Sequence, residues 1–135
     1  MILCLVFLCL DHLVSSSAHP FLAAPSGYPN DVEAIPQGPN SIRLSWAPPD
    51  FIRQNGPITG YDVMYSEGDI SNTTSLNNST TVFILNDLQP YTTYSISVAA
   101  INSQGIGPFS AAIEQTTLEA RETVTVPLLC IHVKM

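Results

Sequence analysis

Apolar and polar residues alternate with a period of two through most of the middle of the chain. Val32 and Ala34 alternate in a first segment, and Ile42, Leu44 and Trp46 alternate in SIRLSW. Tyr61, Val63 and Tyr65 alternate in GYDVMYSE, and Ile96, Val98 and Ala100 do so after LQPYTT. A period of two puts one face of a strand on a core and the other in water. VFIL, residues 82–85, is apolar throughout, so its buried face stays open on pattern alone. SAAIEQTTL reads as a last strand, after GIGP closes the one before it. Turn-forming stretches separate the segments: PQGPN, the long loop APPDFIRQNGP, and the polar connection GDISNTTSLNNST between the third and fifth strands. No window of ten residues in the middle carries the 3.6 spacing of a helix. About seven short strands in about ninety residues predict an all-β fold, a seven-stranded antiparallel Greek-key β-sandwich.

Two aromatic residues anchor the expected core. Trp46 is the sole tryptophan and lies on the inward phase of its strand; burying it removes about 150–250 Å² from water. Tyr94 opens the strand that carries Ile96 and Val98 and shares their phase. In a Greek-key sandwich the chain crosses between sheets just before that strand. A tyrosine there can bury its ring and return its hydroxyl to a backbone group a few residues upstream. Tyr91, in the turn itself, is expected at the surface.

The patterns Leu88-x-Pro90-x-Thr92-x-Tyr94, Val98-x-Ala100-x-Asn102 and Gly105-x-Gly107-x-x-Ser110 resemble the second half of a fibronectin type III domain. SIRLSWAPPD, with Trp46, Pro48 and Pro49, and NGPITGYDVMY, with Tyr61, Val63 and Tyr65, resemble the first half. The resemblance runs over roughly residues 25–119. It implies a core built on Trp46, Tyr61, Val63, Leu88, Tyr94 and Val98. It also implies that Phe83 and Leu85 point inward while Val82 and Ile84 point out. An immunoglobulin domain would carry cysteine two residues after the corner tyrosine, where this chain has Ile96. A cytokine-receptor module would carry Trp-Ser-x-Trp-Ser near GIGPFSAAI, which has none.

Charge narrows the partners. Four basic residues face eleven acidic ones in 135 residues, a net charge of −7. Such a surface repels phosphate backbones and anionic lipid, so neither nucleic acid nor a membrane surface is an expected partner. The cysteines are Cys4, Cys9 and Cys130, so residues 10–129 contain none and the core must hold by packing alone.

MILCLVFLCL has the length of a signal-peptide apolar region and is too short to span a bilayer. Ser16 and Ala18 supply small residues for cleavage before His19, although no Lys or Arg precedes the apolar run. The tail RETVTVPLLCIHVKM is interrupted by Pro127 and is also too short for a membrane span. It reads as the start of a following module or the end of a truncated form. The expected division is a signal peptide over 1–18, a linker over 19–27, the domain over 28–119 and a tail over 120–135. Cys130 would be the one thiol left after cleavage and a route to a dimer. Cys130 and His132 together are a poor metal signal.

Catalytic constellations are missing from the domain. His12, His19 and His132 all fall outside it, so no Ser-His-Asp or Cys-His arrangement fits within it. Asp62, Glu67 and Asp69 are close in sequence, but a calcium cage needs about six oxygen ligands or more, and a solvated strand end is the simpler account. No cofactor, no metal and no enzymatic activity are expected.

Asn72, Asn77 and Asn78 each begin an Asn-x-Ser/Thr acceptor for N-glycosylation, and adjacency lets only one of Asn77 and Asn78 carry a glycan. The loop 47–57 and the hairpin 102–108 should share one end of the sandwich. Asp50, Phe51, Ile52 and Arg53 are its candidate protein-contact residues, in the absence of any Arg-Gly-Asp triplet.

These features point to a secreted or extracellular protein-binding or spacer module in adhesion, matrix or receptor ectodomains. A truncated or spliced piece of an enzyme-linked receptor, such as a receptor tyrosine phosphatase, is the alternative. An intracellular sarcomeric module is a third reading.

Overall fold

The computed structural model describes residues 23–121. In chain order these form β1 (Asn30–Gly38), β2 (Ser41–Ala47), a 3-10 turn (Phe51–Arg53), β3 (Ile58–Glu67), β4 (Ile70–Asn77), β5 (Val82–Leu85), β6 (Thr93–Asn102), β7 (Gly105–Phe109) and β8 (Ile113–Thr116). Two antiparallel sheets result. One is ordered β1-β2-β5; the other is ordered β4-β3-β6-β7, with β8 also paired to β6. The chain therefore changes sheet between β2 and β3, between β4 and β5, and between β5 and β6.

Alternation dictates the layers. In β2, Ile42, Leu44 and Trp46 are buried while Ser41, Arg43 and Ser45 lie between them on the outer face. Tyr61 and Val63 of β3 and Tyr94, Ile96, Val98 and Ala100 of β6 meet them from the other sheet, with Leu85 and Leu88 closing the side. The Trp46 and Tyr61 rings pack edge to face, 5.5 Å between centroids. In β5, Leu85 is buried and Phe83 packs against the core, whereas Val82 and Ile84 face outward. On that outer face Arg43 lies in register between Ile35 of β1 and Ile84 of β5.

The last strand departs from expectation. Gly105–Phe109 does not merely end β6 but returns along it as β7, with Asn102 opposite Gly105 and Ala99 opposite Phe109. Ser110, Ala111 and Ala112, expected within a strand, form a break before β8. At the break the Ser110 N–H donates to the Val98 carbonyl (2.8 Å), while the Ser110 hydroxyl accepts from the Val98 N–H (3.1 Å). A side-chain oxygen thus replaces a ladder carbonyl and lets the strand shift register. Eight segments stand where seven were expected because Gly105–Phe109 forms a strand of its own, and the expected last strand is shortened to Ile113–Thr116.

Tyr94 sits where the chain re-enters the larger sheet. Its ring is buried, and its hydroxyl accepts from the Gln89 N–H at 2.9 Å, five residues upstream, and donates to the Glu67 carboxylate at 3.3 Å. The bend before it is tied down further. The Thr117 hydroxyl donates to the Gln89 carbonyl (2.6 Å) and accepts from the Thr92 N–H (3.0 Å). Asn40 donates through its side chain to the Leu88 carbonyl (2.7 Å). Tyr91 is exposed, in a left-handed turn conformation with φ of 49°.

Replacing Tyr94 by phenylalanine keeps the ring but strands the Gln89 N–H. We expect a loss of about 1–2 kcal/mol, read as a lower urea midpoint at pH 7. Burial pushes the Tyr94 and Tyr61 phenols above the ordinary tyrosine value of 10.0. The unfolded chain therefore loses these protons first. Their contribution is complete below pH 10.0 and is lost as pH rises through the folded values. Urea midpoints should fall steeply above that pH, and less steeply in the Tyr94→Phe variant.

Candidate functional site

Three segments converge at one end of the sandwich: residues 23–29, the connection between β2 and β3, and the β6–β7 hairpin. Their meeting point is one amide. Asn102 ends β6 on the same phase as Val98 and Ala100 and is 4% exposed. Its Nδ2 donates to the Ala23 carbonyl (2.8 Å) and the Gln54 carbonyl (3.0 Å), with the Asn55 carbonyl at 3.3 Å sharing one of the two protons. Its Oδ1 accepts from the Gln104 and Gly105 N–H groups at 2.9 and 3.2 Å, which closes the hairpin.

The same end is fastened at several further points. The Asn55 side chain donates to the Ala24 carbonyl (2.8 Å), and that of Gln54 donates to the Pro49 carbonyl (2.8 Å). The Ser26 and Gly27 N–H groups donate to the Arg53 carbonyl at 2.8 and 3.2 Å. Two glycines make the fit by lacking a side chain. A Cβ on Gly27 would stand 2.8 Å from Cβ of Arg53, and one on Gly107 would stand 2.8 Å from both Cβ and the carbonyl oxygen of Pro25. Residues 23–27, expected to be linker, are therefore laid against this end. The hydrogen bonds to Ala23, Ala24, Ser26 and Gly27 could not form with a free tether.

On this pinned backbone the 3-10 turn displays its side chains. Phe51 and Ile52 are 85% and 83% exposed, the most open large apolar residues described. Asp50 precedes them and accepts from the Asn30 side chain at 3.3 Å. Asp50 also borders a groove of about 480 Å³ that runs past Tyr28 and Val32 to the break at Ser110. Arg53 is exposed and packs its aliphatic base over Gly27. Asp50, Phe51, Ile52 and Arg53 thus occupy one short turn, as their adjacency requires.

The other residues singled out by the sequence lie elsewhere. Trp46, Tyr61, Val63, Leu88, Tyr94 and Val98 are in the core. Asn72 is on β4, Asn77 ends β4, and Asn78 is in the turn to β5. Asp62 accepts from the Ser75 hydroxyl at 2.6 Å and Glu67 from Tyr94, so these two carboxylates have separate tasks; Asp69 is exposed in the β3–β4 turn. Cys4, Cys9, Cys130, the three histidines and the signal-like start fall outside the described residues. Among the described residues no helix is long and apolar enough to cross a membrane. Asn102 itself was missed as a site residue. Its signal was present: a polar amide on the apolar phase of a buried strand needs a reason.

A family model described as fibronectin type III domain matches residues 25–116. The chain is 39% identical over 104 residues to cell adhesion molecule DSCAM of Gallus gallus, covering 72% of this chain and 5% of that protein. It is 38% identical over 100 residues to receptor-type tyrosine-protein phosphatase F of Bos taurus, covering 73% and 5%. The chain thus spans about a twentieth of the length of these relatives. Among solved structures it resembles the FN5 domain of Drosophila Lar, with TM-score 0.60 and 36% identity over 72% of this chain and 100% of that one.

Asn102→Ala should remove every bond of the hub and destabilise the fold by about 2–4 kcal/mol by urea titration. Asn102→Asp should be worse at neutral pH, because a carboxylate faces the carbonyl oxygens that the amide served. Protonation relieves that repulsion, so the aspartate variant should gain stability as pH falls while the alanine variant does not.

Proposed function

The chain belongs to the fibronectin type III domain family, and from that premise we propose that it is a non-catalytic extracellular module that contacts another protein through its Phe51–Ile52 turn. The observation that carries this reading is the contrast within one loop. The backbone is fixed by the Asn102 hub and the Arg53 carbonyl contacts, while Phe51 and Ile52 stand 85% and 83% exposed. Exposed apolar side chains on a preorganised backbone lose little entropy on binding, and such residues carry much of the energy of a protein interface. Loops at a sandwich end are also where this architecture makes its contacts.

Extracellular location is supported by the apolar start, the three sequons and relatives that are a cell adhesion molecule and a receptor-type phosphatase. In this reading residues 1–18 are a leader removed before His19, residues 28–119 are the functional unit, and Cys130 in the tail is free to pair with a second chain. A second reading is favoured by the small share of the relatives that the chain spans: it is one piece of a longer enzyme-linked receptor, whose transcript would continue past Met135.

Two measurements test the proposal. Secreted chain should begin at His19 on N-terminal sequencing. In a screen of the clustered full chain against cell-surface ectodomains, Phe51→Ser with Ile52→Ser should weaken any bound partner at least about 10-fold and leave the melting temperature unchanged. Binding that survives the double substitution would move the contact surface elsewhere.

A further inference from the structure

Below the tyrosine corner, at the opposite end from Asn102, lies a second groove of about 300 Å³. The half-buried Tyr65 ring contributes apolar surface, with the buried Leu88 and Tyr94 lining the floor behind it, and Ile70 stands at the rim, 69% exposed. The Tyr65 and Tyr94 rings are tilted by 60° with centroids 6.4 Å apart. Asn86, Asp87 and Gln89 add polar atoms from the β5–β6 connection, and Glu67 adds its carboxylate beside the Tyr94 hydroxyl.

Asn72 forms part of the wall of this groove. It lies on β4 directly opposite Tyr65 of β3, so neighbouring Cβ atoms stand about 5 Å apart. It also shares the phase of Thr74 and Leu76, the half-buried side of β4, rather than that of Ser71, Thr73 and Ser75. Asn72 is nevertheless exposed and opens the sequon Asn72-Thr73-Thr74. The other two acceptors differ. Asn77 and Asn78 stand at the far end of β4, and Asn77 Oδ1 is already held by the Ser79 and Thr80 hydroxyls at 2.7 and 2.8 Å.

We propose that Asn72 carries an N-linked glycan whose innermost sugar folds back into the groove beside Tyr65 and Tyr94. The inference rests on the extracellular reading above and adds which acceptor is structural. A neutral pyranose matches the chemistry of the groove. Its C–H face can lie on an aromatic ring, and its hydroxyls can donate to Glu67, Asp87 and the Asn86 and Gln89 side-chain oxygens. The carboxylates would repel an anionic ligand but accept strongly from sugar hydroxyls. Tethering at Asn72 makes the contact intramolecular, so weak contacts suffice to hold the sugar in place. The first sugar would then shelter the Gln89-to-Tyr94 bond from water.

The full chain is expressed in a secreting cell twice, once as it stands and once behind a heterologous leader. Entry of only the second into the medium would overturn the extracellular reading and leave the groove to be judged on that product. Glycopeptide mass spectrometry should find Asn72 occupied in most molecules. Trimming to a single sugar with an endoglycosidase should leave the melting temperature unchanged, whereas Asn72→Gln should lower it by about 4 °C. Asn78→Gln should not lower it. Sugar protons of the trimmed form should show nuclear Overhauser contacts to the Tyr65 or Tyr94 ring. An unoccupied Asn72, or an occupied one with no ring contact, overturns the proposal. Should Asn72→Gln fail to express, the ring contacts in the trimmed wild type decide alone.

Discussion

One strand carries both closures of the sandwich. β6 runs through Tyr94, Ile96, Val98, Ala100 and Asn102 on its inner phase, and all five are buried. The three middle residues supply apolar packing. The two at the ends supply polar atoms that reach the irregular chain beyond the sheets, about 27 Å apart at ordinary strand rise. With no cysteine among the described residues, neither end of the sandwich is held there by a covalent staple. Its end connections must satisfy their own carbonyls and N–H groups, because unpaired ones would cost about 1–3 kcal/mol each. The Tyr94 hydroxyl does this at one end and the Asn102 amide at the other.

That arrangement explains how a loop can be both irregular and fixed. The β2–β3 connection holds Asn55 at φ 51° and Gly56 at φ 131°, conformations that need outside support in the case of Asn55. The support comes from Asn102 on one side and residues 23–27 on the other. With its carbonyls occupied inward, the turn can leave Phe51 and Ile52 uncovered without becoming a floppy apolar tether. Neighbouring residues of one loop thus divide the work: the backbone of Arg53, Gln54 and Asn55 is anchored, while the Phe51 and Ile52 side chains stand open.

Much of the fold was legible because its core strands alternate. SIRLSW, GYDVMYSE and the run from Tyr94 to Ala100 each bury one phase, and the corner tyrosine could be placed from chain order alone. VFIL was not legible by pattern. Val82 and Ile84 face water despite being aliphatic, and only the family resemblance resolved which phase turns inward. GIGPF was misjudged because a strand made of two glycines and a proline has too few side chains to show alternation. The docking of residues 23–27 escaped for a related reason: Gly27 and Gly107 act through the side chains they lack. Asn102 was visible as an oddity, but its three carbonyl partners are 47, 48 and 79 residues away in the chain, and no local pattern reports them.

The outer face of the smaller sheet has a consequence of another kind. Ile35, Arg43 and Ile84 form one row across β1, β2 and β5, and β5 is an edge strand. A lone guanidinium therefore separates aliphatic patches that would otherwise merge into a continuous sticky strip beside an open ladder. Arg43 therefore holds a charge where charge works against edge-to-edge pairing of neighbouring molecules. Neutralising it would leave the interior untouched, yet it would lower the concentration at which the molecules begin to precipitate.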